Sequence, residues 1–139
     1  MSQENVEIVR RWVDAYNRRD FEGIIGLTDP GSEFQSRFVA IESVFRAYEG
    51  FPYAYFQTLD EAYDHFEVVP SEYIDAGAAV LMVGCAAWRG KSSGAQGETP
   101  ILIAFWLRAG KVFRAETFTD RAEALEAVGL SEQDAHADS

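Results

Sequence analysis

An almost uninterrupted apolar run in the second half of the chain, from Ala76 to Trp88, constrains the fold more than any other feature. The run has about 13 residues, fewer than the roughly 20 that a membrane-spanning helix requires. Short apolar runs bounded by turn residues are typical of strands that are covered on both faces. The tight turn Ala76-Gly77 and the Gly/Ser loop at 90–97 bound this one. The sequence therefore predicts a central strand at 78–89.

The segments around this strand predict an antiparallel meander. Strands are expected at 67–75, 99–108 and 112–119, and the last two are joined at Gly110 by a hairpin turn. Asp120 is expected to cap a final helix that runs through Val128, with Gly129 ending it.

The first half of the chain is mostly helical. An apolar stripe formed by Val9, Trp12, Val13 and Tyr16 has helical spacing. The segment 41–48 is compatible with a short strand or with irregular structure. The other predicted elements are a helix at 2–19, a helix at 21–27 capped by Asp20, a turn at 28–32, a strand at 33–38 and a helix from Gly50 to about His65. Helices segregated from an antiparallel sheet define an α+β fold.

Composition narrows the possible functions. A length of 139 residues predicts one domain, placed at 1–130, with a polar C-terminal tail at 131–139 that is expected to be disordered. The net charge of −11 argues against nucleic-acid binding, which depends on Lys and Arg, and against anionic membranes. With one Cys and two His, neither a disulfide nor a zinc site is expected. We expect a cytoplasmic protein, because the N-terminus has no apolar leader core. No metal or cofactor is expected either.

Three short motifs resemble the SnoaL-like, NTF2-like and ketosteroid-isomerase-like superfamily. The segment from Arg18 to Ile24 resembles the family's helix-to-helix corner, and 110–112 with 119–125 resembles its last strand and terminal helix. Tyr48-Glu49-Gly50 precedes the third helix in the same way, so the resemblance covers about residues 3–130. It implies an NTF2-like cone, in which a curved mixed or antiparallel sheet wraps around the N-terminal helices. It also implies a pocket at the wide end and usually a homodimer formed through the sheet.

The resemblance does not extend to the family's catalytic residues. Ketosteroid isomerases need a carboxylate base, a first-helix tyrosine and a second acid, and here Ser36, Trp12 and Ile103 fall at those positions. Limonene-epoxide hydrolases need Arg and Asp on a central strand and Asp on the last strand. Here those positions align with Gly84, Ala86 and Thr117. Neither reaction is therefore expected, and catalytic residues remain unassigned.

Aromatic side chains are the main candidates for a binding site, because small-molecule pockets have apolar walls with a few polar groups. For each aromatic side chain, plain core packing is the alternative. For the hydroxyls of Ser36 and Thr117, the alternative is a hydrogen bond to nearby backbone. The candidate ligand-binding residues are Trp12, Tyr16, Phe34, Ser36, Phe56, Trp88, Ile103, Phe105 and Thr117.

Other reactive residue types have structural interpretations. Arg89 ends a strand and is expected to be exposed, like Arg37 on the polar side of its own strand. Glu116 alternates with Arg114 and is expected to form a surface or interface pair. Cys85 lies among apolar residues and is expected to be a core cysteine, since nothing near it in sequence would lower its pKa.

Three functions follow, and the first is favoured. The protein binds a small hydrophobic molecule in an apolar pocket as a homodimer. Alternatively, it is an isomerase, cyclase or hydratase that acts on a small polycyclic or apolar substrate. The third possibility is a structural or partner-binding dimer with a vestigial pocket. An ionisable side chain facing the pocket would favour the enzyme, whereas a pocket filled by the protein's own side chains would favour the third.

Overall fold

The computed structural model describes residues 2–35, 44–46 and 52–131, and in them it places helices on both faces of one sheet. The helices are α1 (Ser2–Arg18), α2 (Phe21–Gly26), α3 (Tyr53–Ala62) and α4 (Arg121–Ala127), and the strands are β1 (Thr28–Gln35), β2 (Val44–Arg46), β3 (Tyr63–Asp75), β4 (Ala79–Gly90), β5 (Gln96–Arg108) and β6 (Lys111–Phe118). None of these helices has the length and apolarity needed to span a bilayer.

The described strands form a six-stranded sheet in the order β2-β1-β6-β5-β4-β3. The strands β3 to β6 form the predicted antiparallel meander. The early strand β1 lies parallel to the final strand β6 and antiparallel to β2, which makes the sheet mixed. The α+β class and the cone-like mixed sheet that the sequence predicts are confirmed.

The main core lies between α1–α3 and the face of the sheet that we call the inner face. Val9 and Trp12 of α1 pack there with Leu59 of α3 and with Met82 and Ile103 of the sheet. Because side chains alternate along a strand, the neighbouring residues of β4 and β5 point to the opposite, outer face. The amphipathic stripe of α1 therefore covers the inner face, as predicted.

Helix α4 covers part of the outer face. Ala124 and Leu125 of α4 pack against Leu81, Leu102 and Phe118 of the sheet in a second, smaller core. The side chain of Asp120 accepts a hydrogen bond from the backbone N–H of Ala122, so the predicted helix cap is confirmed. The central strand β4 is thus covered on both faces over the half that α4 reaches, which explains its apolar sequence.

The predicted turn at 28–32 is wrong, because β1 already begins at Thr28. Thr28 pairs with Val112 of β6, and the register shifts between Thr28 and Glu33. The local turn chemistry survives inside this shift, where the Asp29 carboxylate accepts from the Gly31 N–H. Pairing with β6 overrides the turn propensity of these residues, and the Asp29 side chain stabilises the backbone where the register shifts.

The predicted boundary between the third helix and the next strand is also wrong. Helix α3 ends at Ala62 and β3 begins at Tyr63, earlier than the expected 67. Phe66 pairs with Trp88 across the sheet, and the ring of Tyr63 packs against both. This aromatic packing extends β3 into a segment whose own pattern is helical.

The structure also defines a shorter loop before β5, a contact at the start of α1 and the strand β2. The loop expected at 90–97 shrinks to 91–95, because β5 begins at Gln96. The Asn5 side chain donates to the carbonyl of Gly77, which connects the first turn of α1 to the β3–β4 turn. Of the ambiguous segment 41–48, residues 44–46 form β2. Gly50 and most of the tail at 131–139 lie outside the described residues.

Candidate functional site

Six aromatic rings pack into one cluster between α1, α3 and the inner face. The Trp12 ring stacks on Tyr16 at 5.7 Å and on Phe34 at 5.8 Å, and it meets Phe105 edge-on at 5.2 Å. On the α3 side, Phe56 lies 4.9 Å from Tyr16, while Tyr55 contacts Phe34 at 5.0 Å. These separations are those of favourable aromatic pairs. We call this group the aromatic cluster; its members are Trp12, Tyr16, Phe34, Tyr55, Phe56 and Phe105.

A buried hydrogen-bond chain fixes one wall of the aromatic cluster. The Trp12 Nε1–H donates to Thr28 Oγ1 at 3.0 Å, and the Thr28 hydroxyl donates to the carbonyl of Ile24 at 2.5 Å. Trp12 is 2% exposed and Thr28 is 6% exposed. The chain links α1, the last turn of α2 and the start of β1.

The most polar feature inside the cluster is a pair of tyrosine hydroxyls. Tyr16 Oη and Tyr55 Oη lie 2.5 Å apart, and both residues are buried. Burial, followed by the neighbouring Tyr55, raises the pKa of Tyr16 well above its ordinary value. Tyr16 therefore keeps its proton at neutral pH and can donate a hydrogen bond, but it cannot act as a base.

Arg19 closes the cluster on the side of α1's C-terminus. Its guanidinium lies 4.6 Å from the centre of the Phe56 ring and 5.7 Å from that of Tyr16. It also donates to the carbonyls of Tyr16 and Phe66. Arg19 has a φ of 57°, a left-handed conformation that is costly for a residue with a Cβ. These contacts offset that cost and hold α1 against α3 and β3.

The structure brings most of the predicted binding residues together. Ile103 and Thr117 are register partners on the inner face, both buried, beside the ring cluster. Trp88 lies near the end of β4 in a separate group with Tyr63 and Phe66, and its Nε1–H donates to Thr99 Oγ1 at 2.9 Å. Ser36 lies outside the described residues. Every buried side-chain nitrogen and oxygen in the described ranges has a hydrogen-bond partner.

Three pockets bounded by described residues are open depressions. One of ≈ 450 Å³ includes Trp88 and Arg89, and one of ≈ 510 Å³ includes Phe56, Phe21 and Tyr53. A third, of ≈ 320 Å³, lies beside Arg19. The other described members of the aromatic cluster contact one another instead of lining these depressions. Within residues 2–35, 44–46 and 52–131, no three His, Cys, Asp or Glu side chains are placed to hold a metal ion.

No protein-family model matches the sequence, and no curated protein is significantly similar to it. Among solved structures, TerC co-crystallized with polyporic acid has 19% identity and a TM-score of 0.74, covering 90% of this chain and 98% of TerC. An NTF2-like protein from Burkholderia xenovorans has 26% identity and a TM-score of 0.69, covering 93% of this chain and 98% of its own.

A third similar structure is a protein with a ketosteroid-isomerase-like fold from Catenulispora acidiphila, in complex with trimethylamine. It has 14% identity and a TM-score of 0.70, covering 89% of this chain and 93% of its own. The chain has the NTF2-like fold. The fold implied by the three motifs is thereby confirmed.

The described residues that align with catalytic positions of ketosteroid isomerases and limonene-epoxide hydrolases take part in the packing of this NTF2-like fold. Trp12, Ile103 and Thr117 are buried in or beside the main core, and Ala86 faces the same core. Gly84 lies against β3, where an added Cβ would overlap the carbonyl oxygen of Val69. These side chains supply no carboxylate.

The expectation of a core cysteine is wrong. Cys85 is partly exposed, and its Sγ lies 3.9 Å from a Glu98 carboxylate oxygen. Partial burial, followed by that carboxylate, raises the pKa of the Cys85 thiol, which disfavours the reactive thiolate. The prediction failed because Cys85 pairs with Val69 and Pro100 on the half of the outer face that is farther from the α4-covered residues.

Two other surface predictions are confirmed. Arg89 is exposed and pairs with Asp64 at 3.8 Å. Arg114 pairs with Glu116 at 3.0 Å. Sequence reasoning missed Tyr55 and Thr28 as parts of the site. Tyr55 could have been found from its position beside Phe56 on the apolar side of α3, whereas Thr28 was hidden by its turn-like neighbours.

Proposed function

We propose that this NTF2-like protein binds a small, largely apolar molecule carrying a hydrogen-bonding oxygen, against the aromatic cluster. The observation that carries the proposal is the buried hydroxyl pair of Tyr16 and Tyr55, enclosed by aromatic rings. An apolar wall with one polar contact is the usual composition of a small-molecule site.

The chemistry of the described walls favours binding over catalysis. Among the residues that the structure describes, the buried polar side chains that are not aromatic are Thr28, Ser32 and Thr117, and none of these can move a proton at neutral pH. Tyr16 is protonated because its pKa is raised. A hydroxyl that donates can orient a ligand oxygen, whereas proton abstraction needs a base.

The similar structures support a small-molecule role. TerC was co-crystallized with polyporic acid, and the Catenulispora acidiphila protein was solved with trimethylamine. Both have the fold of this chain over most of their length. The direct mutual packing of the aromatic rings favours a competing role, that of a structural protein with a vestigial pocket.

Native mass spectrometry against a panel of hydrophobic metabolites separates these two functions. We expect a stoichiometric adduct with at least one neutral, ring-containing compound. Trp12→Ala should abolish the adduct, while Trp106→Ala should retain it, because Trp106 packs with the outer-face core. If no compound forms an adduct, or both variants lose it equally, the binding proposal is wrong.

We also propose that the protein is a homodimer formed through the part of the outer face that α4 leaves uncovered. Val69 on this face is 42% exposed, and Ala87 beside it on β4 is only partly buried. In light scattering at micromolar concentration we expect a dimer mass. Val69→Arg should give a monomer, whereas Ile25→Arg, at an equally exposed position on α2, should leave the dimer intact. A monomer mass for the wild type would contradict the proposal.

The proposed compartment is the cytoplasm. The support is the single cysteine, which permits no intrachain disulfide. Cell fractionation tests this directly, and recovery in a secreted or membrane fraction would contradict it.

A further inference from the structure

The Trp12–Thr28–Ile24 chain carries an inference that rests on the proposed function. The Thr28 hydroxyl has one proton, which it donates to the Ile24 carbonyl. Its oxygen can then act only as an acceptor toward the Trp12 Nε1–H, which it meets at 3.0 Å. The two hydrogen bonds therefore run in one direction, from the indole N–H through the Thr28 hydroxyl to the Ile24 carbonyl.

The hydrogen bond determines which surface of Trp12 faces the other rings. A hydrogen bond at Nε1 restrains the rotation of the indole in its own plane, and the neighbouring rings restrain its tilt. The ring then stacks on Phe34 with an interplanar angle of 23° and meets Phe105 edge-on at 65°. With its one N–H used on Thr28, Trp12 presents apolar carbon to the cluster.

We propose that Thr28 is a positioning residue of the ligand site, acting through Trp12 to hold an apolar wall in place. It does not touch the ligand. Its effect on binding comes from the orientation of the indole, so a change at Thr28 should weaken ligand binding even where the fold is intact. The protein contains a second hydrogen bond between a tryptophan and a threonine. It runs from Trp88 Nε1 to Thr99 Oγ1 at 2.9 Å and lies outside the aromatic cluster.

This second pair supplies a matched control. The protein has three tryptophans, so a nitrogen–proton NMR spectrum contains three indole Nε1–H peaks. Thr28→Val removes both hydrogen bonds of Thr28, and Thr28→Ser keeps them. Thr99→Val removes the corresponding bond to Trp88. 1-Naphthol serves as the probe, because it is a neutral, apolar double ring with one hydroxyl, and its affinity is measured by NMR titration.

We expect Thr28→Val to shift the Trp12 peak, leave the Trp88 and Trp106 peaks in place, and weaken 1-naphthol binding by about fivefold. Thr28→Ser should keep the Trp12 peak and bind within about twofold of the wild type. Thr99→Val should shift the Trp88 peak without weakening binding. The proposal is overturned if Thr28→Val leaves either the Trp12 peak or the affinity unchanged, or if Thr99→Val weakens binding as much.

Two further readouts keep the test decisive. If Thr28→Val does not fold, hydrogen exchange of the wild-type indoles replaces it. The Trp12 Nε1–H should then exchange more slowly than that of Trp106, and fast exchange would overturn the proposal. If wild-type protein does not bind 1-naphthol, the proposed function is what fails, and the Trp12 peak still decides whether Thr28 holds the indole.

Discussion

The hydroxyl oxygens of Tyr16 and Tyr55 lie 2.5 Å apart, and the two residues are 3% and 1% exposed. One hydroxyl donates to the other, so α1 and α3 are joined by a polar contact inside an aromatic environment. Tyr16 also stacks on Trp12, and Tyr55 meets the edge of Phe34. The pair therefore contributes to the stability of the core and also supplies the polar contact of the proposed site.

Replacing Tyr16 with Phe should flatten the loss of stability at alkaline pH. Because burial raises the pKa of Tyr16 above 10.0 in the folded protein, the folded state keeps a proton that the unfolded chain loses. The stabilisation is complete below the unfolded pKa, and the free energy of unfolding then falls by up to about 1.4 kcal/mol per pH unit above about pH 10. Urea unfolding between about pH 9 and pH 11 measures this slope.

Tyr53→Phe is the control for this experiment, since Tyr53 is 55% exposed. It should keep the wild-type slope. An equal slope for Tyr16→Phe and the wild type would contradict the burial of an ionisable Tyr16. At neutral pH we expect Tyr16→Phe to cost about 1 kcal/mol, the net value of a buried hydrogen bond.

The bulge in β3 should make Gly84 irreplaceable. The register of β3 against β4 shifts between Pro70 and Glu72, and this brings the Val69 carbonyl and Pro70 Cα against Gly84. We expect Gly84→Ala to destabilise the fold by about 2 kcal/mol or more, because backbone atoms must move. Gly26→Ala meets no atom within 4 Å and should stabilise it by about 0.5 kcal/mol. Chemical denaturation compares the two, and equal midpoints would contradict the close approach at Gly84.

The turn between β5 and β6 should tolerate Asn better than the natural Ala109. Ala109 and Gly110 have φ values of 53° and 78°, which a two-residue type I′ turn requires at both positions. Asn adopts this conformation more readily than Ala, so Ala109→Asn should stabilise the protein by about 0.5 kcal/mol. Ala109→Val should destabilise it, since β-branched residues avoid positive φ. A melting temperature that rises with Val and falls with Asn would contradict this turn geometry.

The sequence predicts the elements of this fold better than their ends. The helical stripe through Trp12 and Tyr16 and the apolar strand through Met82 are long and periodic, so local pattern and tertiary packing agree. Local pattern and tertiary packing disagree at Thr28. The turn-type hydrogen bond between Asp29 and Gly31 forms, but pairing of Thr28 with Val112 makes the segment a strand. No local pattern reports a partner more than 80 residues away.

The candidate site shows the same division. Periodicity places Trp12, Tyr16 and Phe105 on core-facing sides of their elements, and the structure brings them together. Periodicity does not report the Tyr16–Tyr55 contact, since it joins two helices across 39 positions of the chain. The prediction for Cys85 was wrong for a related reason. Hydrophobic neighbours in sequence do not reveal which part of the outer face α4 leaves uncovered.

Titration of the nitrogen-labelled protein with 1-naphthol, followed by NMR, tests the central claim most directly. This compound is an apolar double ring with one hydroxyl, so it matches both the walls and the Tyr16–Tyr55 pair. We predict saturable shifts of the Trp12 indole peak and of the Tyr16 and Tyr55 backbone amides, with the Trp106 indole unmoved. Shifts confined to Trp106, or no saturable shift at any of these positions, would contradict a ligand site at the aromatic cluster.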